Sequence, residues 1–105
     1  PTIITPAEVL RAATRAGALS QGRGDSGLLA VGMRADLCVL NTDTPQFTPM
    51  TSAACNVVYA AQGADIRMTM VDGEVLYRDG EFKTIDIEKV KAEVQRRTDS
   101  ILSRL

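Results

Sequence analysis

With 105 residues, 45% of them hydrophobic and 24% charged, the chain has the composition of one soluble globular domain, not of a disordered or low-complexity segment. Its net charge of −1 comes from 12 basic and 13 acidic residues that are interspersed, so no basic face is offered to nucleic acid or to an anionic membrane. The longest apolar runs are about four or five residues, against roughly 20 for a bilayer span, and Pro1 to Pro6 lack the basic region and apolar core of a secretion signal.

Thr5-Pro6-Ala7-Glu8 is a helix start: Thr5 can cap, Pro6 suits the first helical position and Glu8 can complete a capping box. Val9, Leu10, Ala13 and Ala12 or Ala16 follow at helical spacing. The pattern predicts a helix over Pro6 to Ala16, stopped by Gly17, with one further turn possible over Ala18 to Gly22. Next, Gly22-Arg23-Gly24-Asp25-Ser26-Gly27 matches the spacing G-x-G-x-x-G, but a dinucleotide site needs a strand before it and a helix after it. Here the order is reversed, and neither nucleotide binding nor the adhesion-like Arg23-Gly24-Asp25-Ser26 is assigned a role beyond a connector.

Gly27 opens the apolar segment Leu28-Leu29-Ala30-Val31, and Gly32 is the residue at which the chain reverses, since a residue without Cβ takes positive φ cheaply. Leu37-Cys38-Val39-Leu40 has no polar alternation and reads as a strand covered on both faces, forming a central hairpin with the Leu28 segment. Asp36 at its mouth is placed to accept turn N–H groups. Cys38 lies inside this run, 17 positions before Cys55, and reads as a buried reduced thiol, which favours the cytoplasm.

Asn41 to Met50, with Pro45 and Pro49, is expected to be an extended surface loop pinned by Phe47. Thr51 to Ala54 can begin a short helix. Asn56 to Ala61 fits a buried helical turn or a strand, and Gln62 to Asp65 is a break. Ile66 to Asp72 alternates as a strand, Asp72-Gly73 is a two-residue hairpin turn, Glu74 to Arg78 returns, and Asp79-Gly80 turns again before Glu81-Phe82-Lys83. A last helix runs from Ile87 to Ser103, capped by Asp86 with an Ile85 to Val90 staple. Ile87, Val90, Val94, Ile101 and Leu105 form its stripe, broken near Arg97 and Thr98, and Glu93, Arg96 and Arg97 decorate the other side.

The pattern of Gly27 to Leu40 resembles the signature near the C-terminal end of metal-dependent amidohydrolases: glycine, apolar segment, glycine, two variable residues, Ala35-Asp36 and four apolar residues. The resemblance extends to Val57-Val58-Tyr59-Ala60-Ala61 and Val71-Asp72-Gly73-Glu74-Val75, and so covers the chain from about Val9 onward. Pro45 to Ala61 is most similar to the deaminases of methylthioadenosine, S-adenosylhomocysteine and related aminated rings, and to the chlorohydrolase-like group beside them. The resemblance implies an α+β segment: residues 1–22 as the last helix packed on a (β/α)8 barrel with its connector, 23–83 as antiparallel strands making half of a composite β-sandwich, and 84–105 as a C-terminal helix. Pro1 in place of Met fits a piece of something longer.

The chemistry of the chain itself is sparse. There is no histidine, so the commonest metal ligand and the commonest general base near neutral pH are missing. The two cysteines lack C-x-x-C spacing, and Asp25, Asp36, Asp65, Asp72 and Asp79 sit at positions where turn-capping is the simplest role. No catalytic, cofactor-binding or metal-ligating residue is assigned. The family holds its zinc or iron with histidines and an aspartate on the barrel, none of which maps onto this chain. The implied parent activates a metal-bound water against a nitrogen heterocycle or an amide, with the remainder of the same enzyme, a small-molecule substrate bound elsewhere and further copies of itself as partners. The alternative is a free-standing β-rich binding or assembly module.

Overall fold

A computed structural model describes residues 3–105; Pro1 and Thr2, with which the expectations above begin, lie outside the described residues. The order of elements is α1 (Pro6–Arg11), a π-helical stretch (Ala12–Ala16), α2 (Gly17–Ser20), β1 (Leu37–Leu40), a 3₁₀ turn (Pro45–Phe47), α3 (Ala53–Tyr59), a second 3₁₀ turn (Gly63–Asp65), β2 (Ile66–Val71), β3 (Glu74–Arg78), β4 (Glu81–Phe82) and α4 (Ile87–Leu102). The strands form one antiparallel sheet in the order β1-β2-β3-β4.

The first helix starts as its sequence requires, with Thr5 Oγ1 accepting the Glu8 N–H at 3.2 Å and Pro6 in the first turn. It does not stop at Gly17, which has φ −60° and ψ −45° and lies inside the helical run. The stop is one turn later. Gly22, at φ +74°, closes the helix while its N–H donates to Leu19 O at 3.0 Å and the Arg23 N–H to Ala18 O at 2.9 Å, the paired bonds of a Schellman end. A glycine reads as a helix stop only where positive φ is needed, and here that position is Gly22. Just before the wide π-helical stretch ends, Thr14 turns its hydroxyl back to Leu10 O at 2.7 Å, a bond of the kind that bends helices.

Two further expectations are corrected in the next segment. Leu28 to Val31 is no strand: Leu29 and Val31 are 76% and 106% exposed, and the segment ends in a turn in which the Met33 N–H donates to Ala30 O at 3.1 Å with Gly32 at φ +86°. Gly32 turns the chain, but no hairpin forms with Leu37–Leu40. That strand pairs with β2 instead, in the register Leu37↔Met70, Cys38↔Thr69, Val39↔Met68. Nor is it covered on both faces. It is the edge strand of the sheet, and both Val39 and Cys38 are exposed. A continuous apolar run marks burial somewhere, and these residues alone do not supply the cover.

The meander follows its sequence closely. Asp72 and Gly73, at φ +52° and +79°, join β2 to β3 across the pair Val71↔Glu74, and Asp79 and Gly80, at φ +49° and +90°, join β3 to β4 across Arg78↔Glu81. Both turns need positive φ twice, which Asp-Gly tolerates best. Tyr77 and Phe82 then meet edge to face across β3 and β4, 5.0 Å between centroids.

Phe47 is the one large side chain that is fully buried among the described residues, and it pins the loop as expected. Asn56 to Tyr59 lies in α3, which starts at the Ser52 cap and packs against α1, so the segment left open above is helical. Asn56, buried, donates from Nδ2 to Phe47 O at 3.0 Å and Pro49 O at 3.2 Å, fastening the loop to the helix. With so thin a core the radius of gyration is 17.9 Å, against about 13 Å for a compact chain of this size.

Candidate functional site

The region in which the sequence concentrates its glycines and acidic turn residues folds into a joint between the first helix and the sheet. Arg15, on the π-helical stretch, donates from Nη1 to both Gly24 O and Ser26 O at 2.8 Å. Gly27, at φ +81°, lies so close against the same turn that a Cβ would stand 2.6 Å from Thr14 O and 2.8 Å from Arg15 Cα. The hexapeptide that matches a dinucleotide fingerprint is thus a helix end, an arginine-bound loop and a close backbone contact.

From that loop the connection continues to the hairpin. Arg34 Nε lies 2.8 Å from Asp25 Oδ2, its backbone N–H donates to Asp25 O at 2.8 Å, and its Nη1 is 3.6 Å from Asp72 Oδ1. The guanidinium holds the Asp25 carboxyl below its ordinary range, and Asp25 raises Arg34 in turn. Asp36 accepts the Asp72 N–H at 2.7 Å, and Ala35 O accepts the Gly73 N–H at 3.0 Å. Asp36 therefore caps the distant β2–β3 turn, which corrects the expectation that it accepts N–H groups of the turn at the mouth of its own strand.

Between the helix, the loop and the β1–β2 face lies an open groove of about 650 Å³, lined by Ala13, Ala18, Leu28, Leu37, Cys38 and Met70 among others. Its lining is mainly apolar, and its wall ends in the exposed ledge of Leu28, Leu29 and Val31. It is a surface suited to packing, not to proton transfer.

The aspartates singled out in the sequence, Asp25, Asp36, Asp65, Asp72 and Asp79, all have structural occupations. Asp65 Oδ2 accepts the Gln62 N–H at 2.8 Å and Oδ1 accepts from Gln46 Nε2 at 2.7 Å, and Asp79 Oδ1 takes Arg67 Nε at 3.0 Å. Among the described residues no three Cys, Asp or Glu side chains come together where a metal could sit. With no histidine in the sequence, this donor set does not fit a catalytic zinc or iron site. Ser26 is buried, and its Oγ donates at 3.5 Å to Asp25 Oδ1, a carboxylate already paired with Arg34, with no histidine in the sequence to act as its base. The residues that reading the sequence missed are Arg15 and Arg34. An arginine on a helix or in a loop carries no local sign of the distant carbonyls and carboxylates it will hold.

These features define a class: an α+β fold with an antiparallel four-stranded sheet and an open, mainly apolar groove, holding no cluster of acid and thiol ligands among its described residues. The amidohydrolase family model matches residues 3–77, and the chain belongs to that family. It is 41% identical over 104 residues to a 5-methylthioadenosine/S-adenosylhomocysteine deaminase of Desulfitobacterium hafniense, covering 99% of this chain and 24% of that protein. To a 5'-deoxyadenosine deaminase of Methanosarcina mazei it is 34% identical over 105 residues, 100% of this chain and 24% of that protein. In structure it is similar to an adenosine deaminase from Xanthomonas campestris with bound zinc, with a TM-score of 0.90 and 27% identity over 94% of this chain and 23% of that one. An atrazine chlorohydrolase from Arthrobacter aurescens complexed with zinc gives a TM-score of 0.81 and 26% identity, over 88% of this chain and 20% of that one. The chain thus spans about a quarter of the length of the curated relatives it matches, and the family first read from Gly27 to Leu40 is the one found.

Proposed function

We propose that this chain is the C-terminal scaffold of a metal-dependent hydrolase that deaminates an adenosine-like nucleoside, with methylthioadenosine and S-adenosylhomocysteine as first candidates. The observation that carries the reading is its 41% identity to a deaminase of those two compounds across 99% of its length. On this reading residues 1–22 close a (β/α)8 barrel, 23–83 supply half of a β-sandwich completed by strands from the rest of the enzyme, and 84–105 form a separate helix. The metal, zinc or iron, is held by that remainder, and the substrate is bound there too. Metal-activated water is the nucleophile that such a metal supplies, and no residue of this chain takes part in the step.

What the chain contributes is shape. The groove, the ledge of Leu28, Leu29 and Val31 and the open edge of β1 are the surfaces expected to meet the barrel and the missing strands. Covering each large aliphatic side chain is worth about 1.5–3 kcal/mol, which gives the contact a driving force. Family membership favours this reading over a free-standing β-rich module. Its two free cysteines suit the cytoplasm, where we place it; among the described residues no helix is long and apolar enough to cross a membrane.

The test is ammonia release by the full-length protein from methylthioadenosine, S-adenosylhomocysteine, adenosine and aminated pyrimidines, before and after metal removal and after adding zinc back. Metal-dependent release from an adenosine-like substrate is expected. Activity confined to peptides or phosphoesters would overturn the reading.

A further inference from the structure

The helix α4 stands apart from every surface used so far. Val90, Val94 and Ile101 are 45%, 59% and 59% exposed, and with Ile87 they recur at intervals of three, four and seven residues along its length. That spacing is a coiled-coil seam. Along it runs a shallow groove of about 300 Å³ between Lys89, Val90, Glu93, Val94 and Arg97. The seam has one flaw: the position between Val94 and Ile101 that should be apolar is Arg97, whose Nε lies 2.9 Å from Glu93 Oε1.

Charge along the helix decides what fits this seam. Its first half carries Asp86, Glu88 and Glu93 against Lys89 and Lys91, and its second half Arg96, Arg97 and Arg104 against Asp99. The halves are opposite in sign. A parallel copy would set like against like, whereas an antiparallel copy sets the acidic half of each helix against the basic half of the other. With a two-fold axis near the level of Gln95 and Arg96, Val90 of one helix faces Ile101 of the other, and Glu93 of one flanks Arg97 of the other. Glu93, whose carboxyl Arg96 and Arg97 hold below its ordinary range, is then shared between two helices. Arg97, a flaw in a lone stripe, becomes the residue that fixes direction and register, as polar seam residues do.

We infer that α4 is a self-association surface: the Val90–Val94–Ile101 seam packs antiparallel against α4 of a second copy of this chain, with Glu93 and Arg97 pairing across the two-fold axis. Being isologous, such a contact closes as a dimer and does not propagate.

Sedimentation velocity of the full-length protein over a range of concentrations tests this, on the wild type and on four variants. Ile101→Glu, which sets a carboxylate against Val90 and the acidic half of the other helix, is expected to shift the protein to the smaller species at concentrations where the wild type is associated. Glu93→Arg and Arg97→Glu alone are each expected to weaken association at least tenfold, and the double variant Glu93→Arg/Arg97→Glu to restore it, because the swapped pair is complementary again. Far-ultraviolet circular dichroism and Tm are followed in parallel. A wild type that stays monomeric, an Ile101→Glu protein that associates as the wild type does, or a double variant no better than its singles would overturn the inference. An Ile101→Glu variant that loses Tm without changing its association would do so as well, by showing that the seam is covered by its own chain.

Discussion

Two stretches of this chain are built around glycine turns, and they depend on their surroundings in opposite ways. The meander from Ile66 to Phe82 carries its instructions locally: each Asp-Gly pair takes the two positive φ values that its hairpin needs, and the flanking strands pair directly with one another. The stretch from Gly17 to Asp36 also turns on glycines, but its shape is held from a distance, by Arg15 from the helix and by Arg34 reaching toward Asp72. A turn encoded by its own dipeptide is legible in the sequence, even where distant groups add to it; a turn that exists to seat one element on another is not.

The sharpest way to break this comparison is at Gly27. Replacing it with alanine adds a Cβ at 2.6 Å from Thr14 O, against backbone that cannot swing aside, at a φ of +81°. Left-handed strain of about 1–2 kcal/mol and overpacking of about 1–3 kcal/mol act together. Urea denaturation of the full-length protein should show Gly27→Ala as the most destabilising of the glycine substitutions, with the loss spread across the helix–sheet joint.

Gly73→Ala tests the other region. There a Cβ meets nothing within 4 Å, so only the φ of +79° is strained and the expected loss is about 1–2 kcal/mol in the same measurement. Gly32→Ala has equal room and a similar φ of +86°, but it sits in an exposed loop free to relax, and its loss should be smaller than that of Gly73→Ala. Equal losses at Gly27 and Gly73 would erase the distinction.

Asp36 is where the regions meet. Removing its carboxylate with Asp36→Ala leaves the Asp72 N–H to water, a loss of about 1 kcal/mol, and hydrogen exchange should quicken at Asp72 before it does at Tyr77. The smallest effect concerns Asp25. Its carboxyl is held below the ordinary value of 3.8 chiefly by the bond from Arg34, so its contribution is present above about pH 4 and is lost as pH falls further. The stability difference between wild type and Asp25→Asn should accordingly be constant near neutrality and shrink below pH 4. A difference that grows on acidification would reverse the sign argued here.

The sequence by itself determined whatever depends on neighbours a few residues apart. Thr5 and Asp86 cap the helices that follow them, the two Asp-Gly pairs make hairpins, and Phe47 pins its loop. It also held the family, because the glycine-spaced signature from Gly27 to Leu40 is a string of local conformational demands. Only the tertiary structure decided which glycine ends the first helix, that Leu28 to Val31 forms a ledge and not a strand, that Leu37 to Leu40 lies at an open sheet edge with Cys38 exposed, and that Arg15 and Arg34 lock helix to hairpin. Hydrophobicity states that a side chain is to be covered, and charge that it is to be paired, but neither names the partner. That is fixed by which distant segments the fold brings within reach.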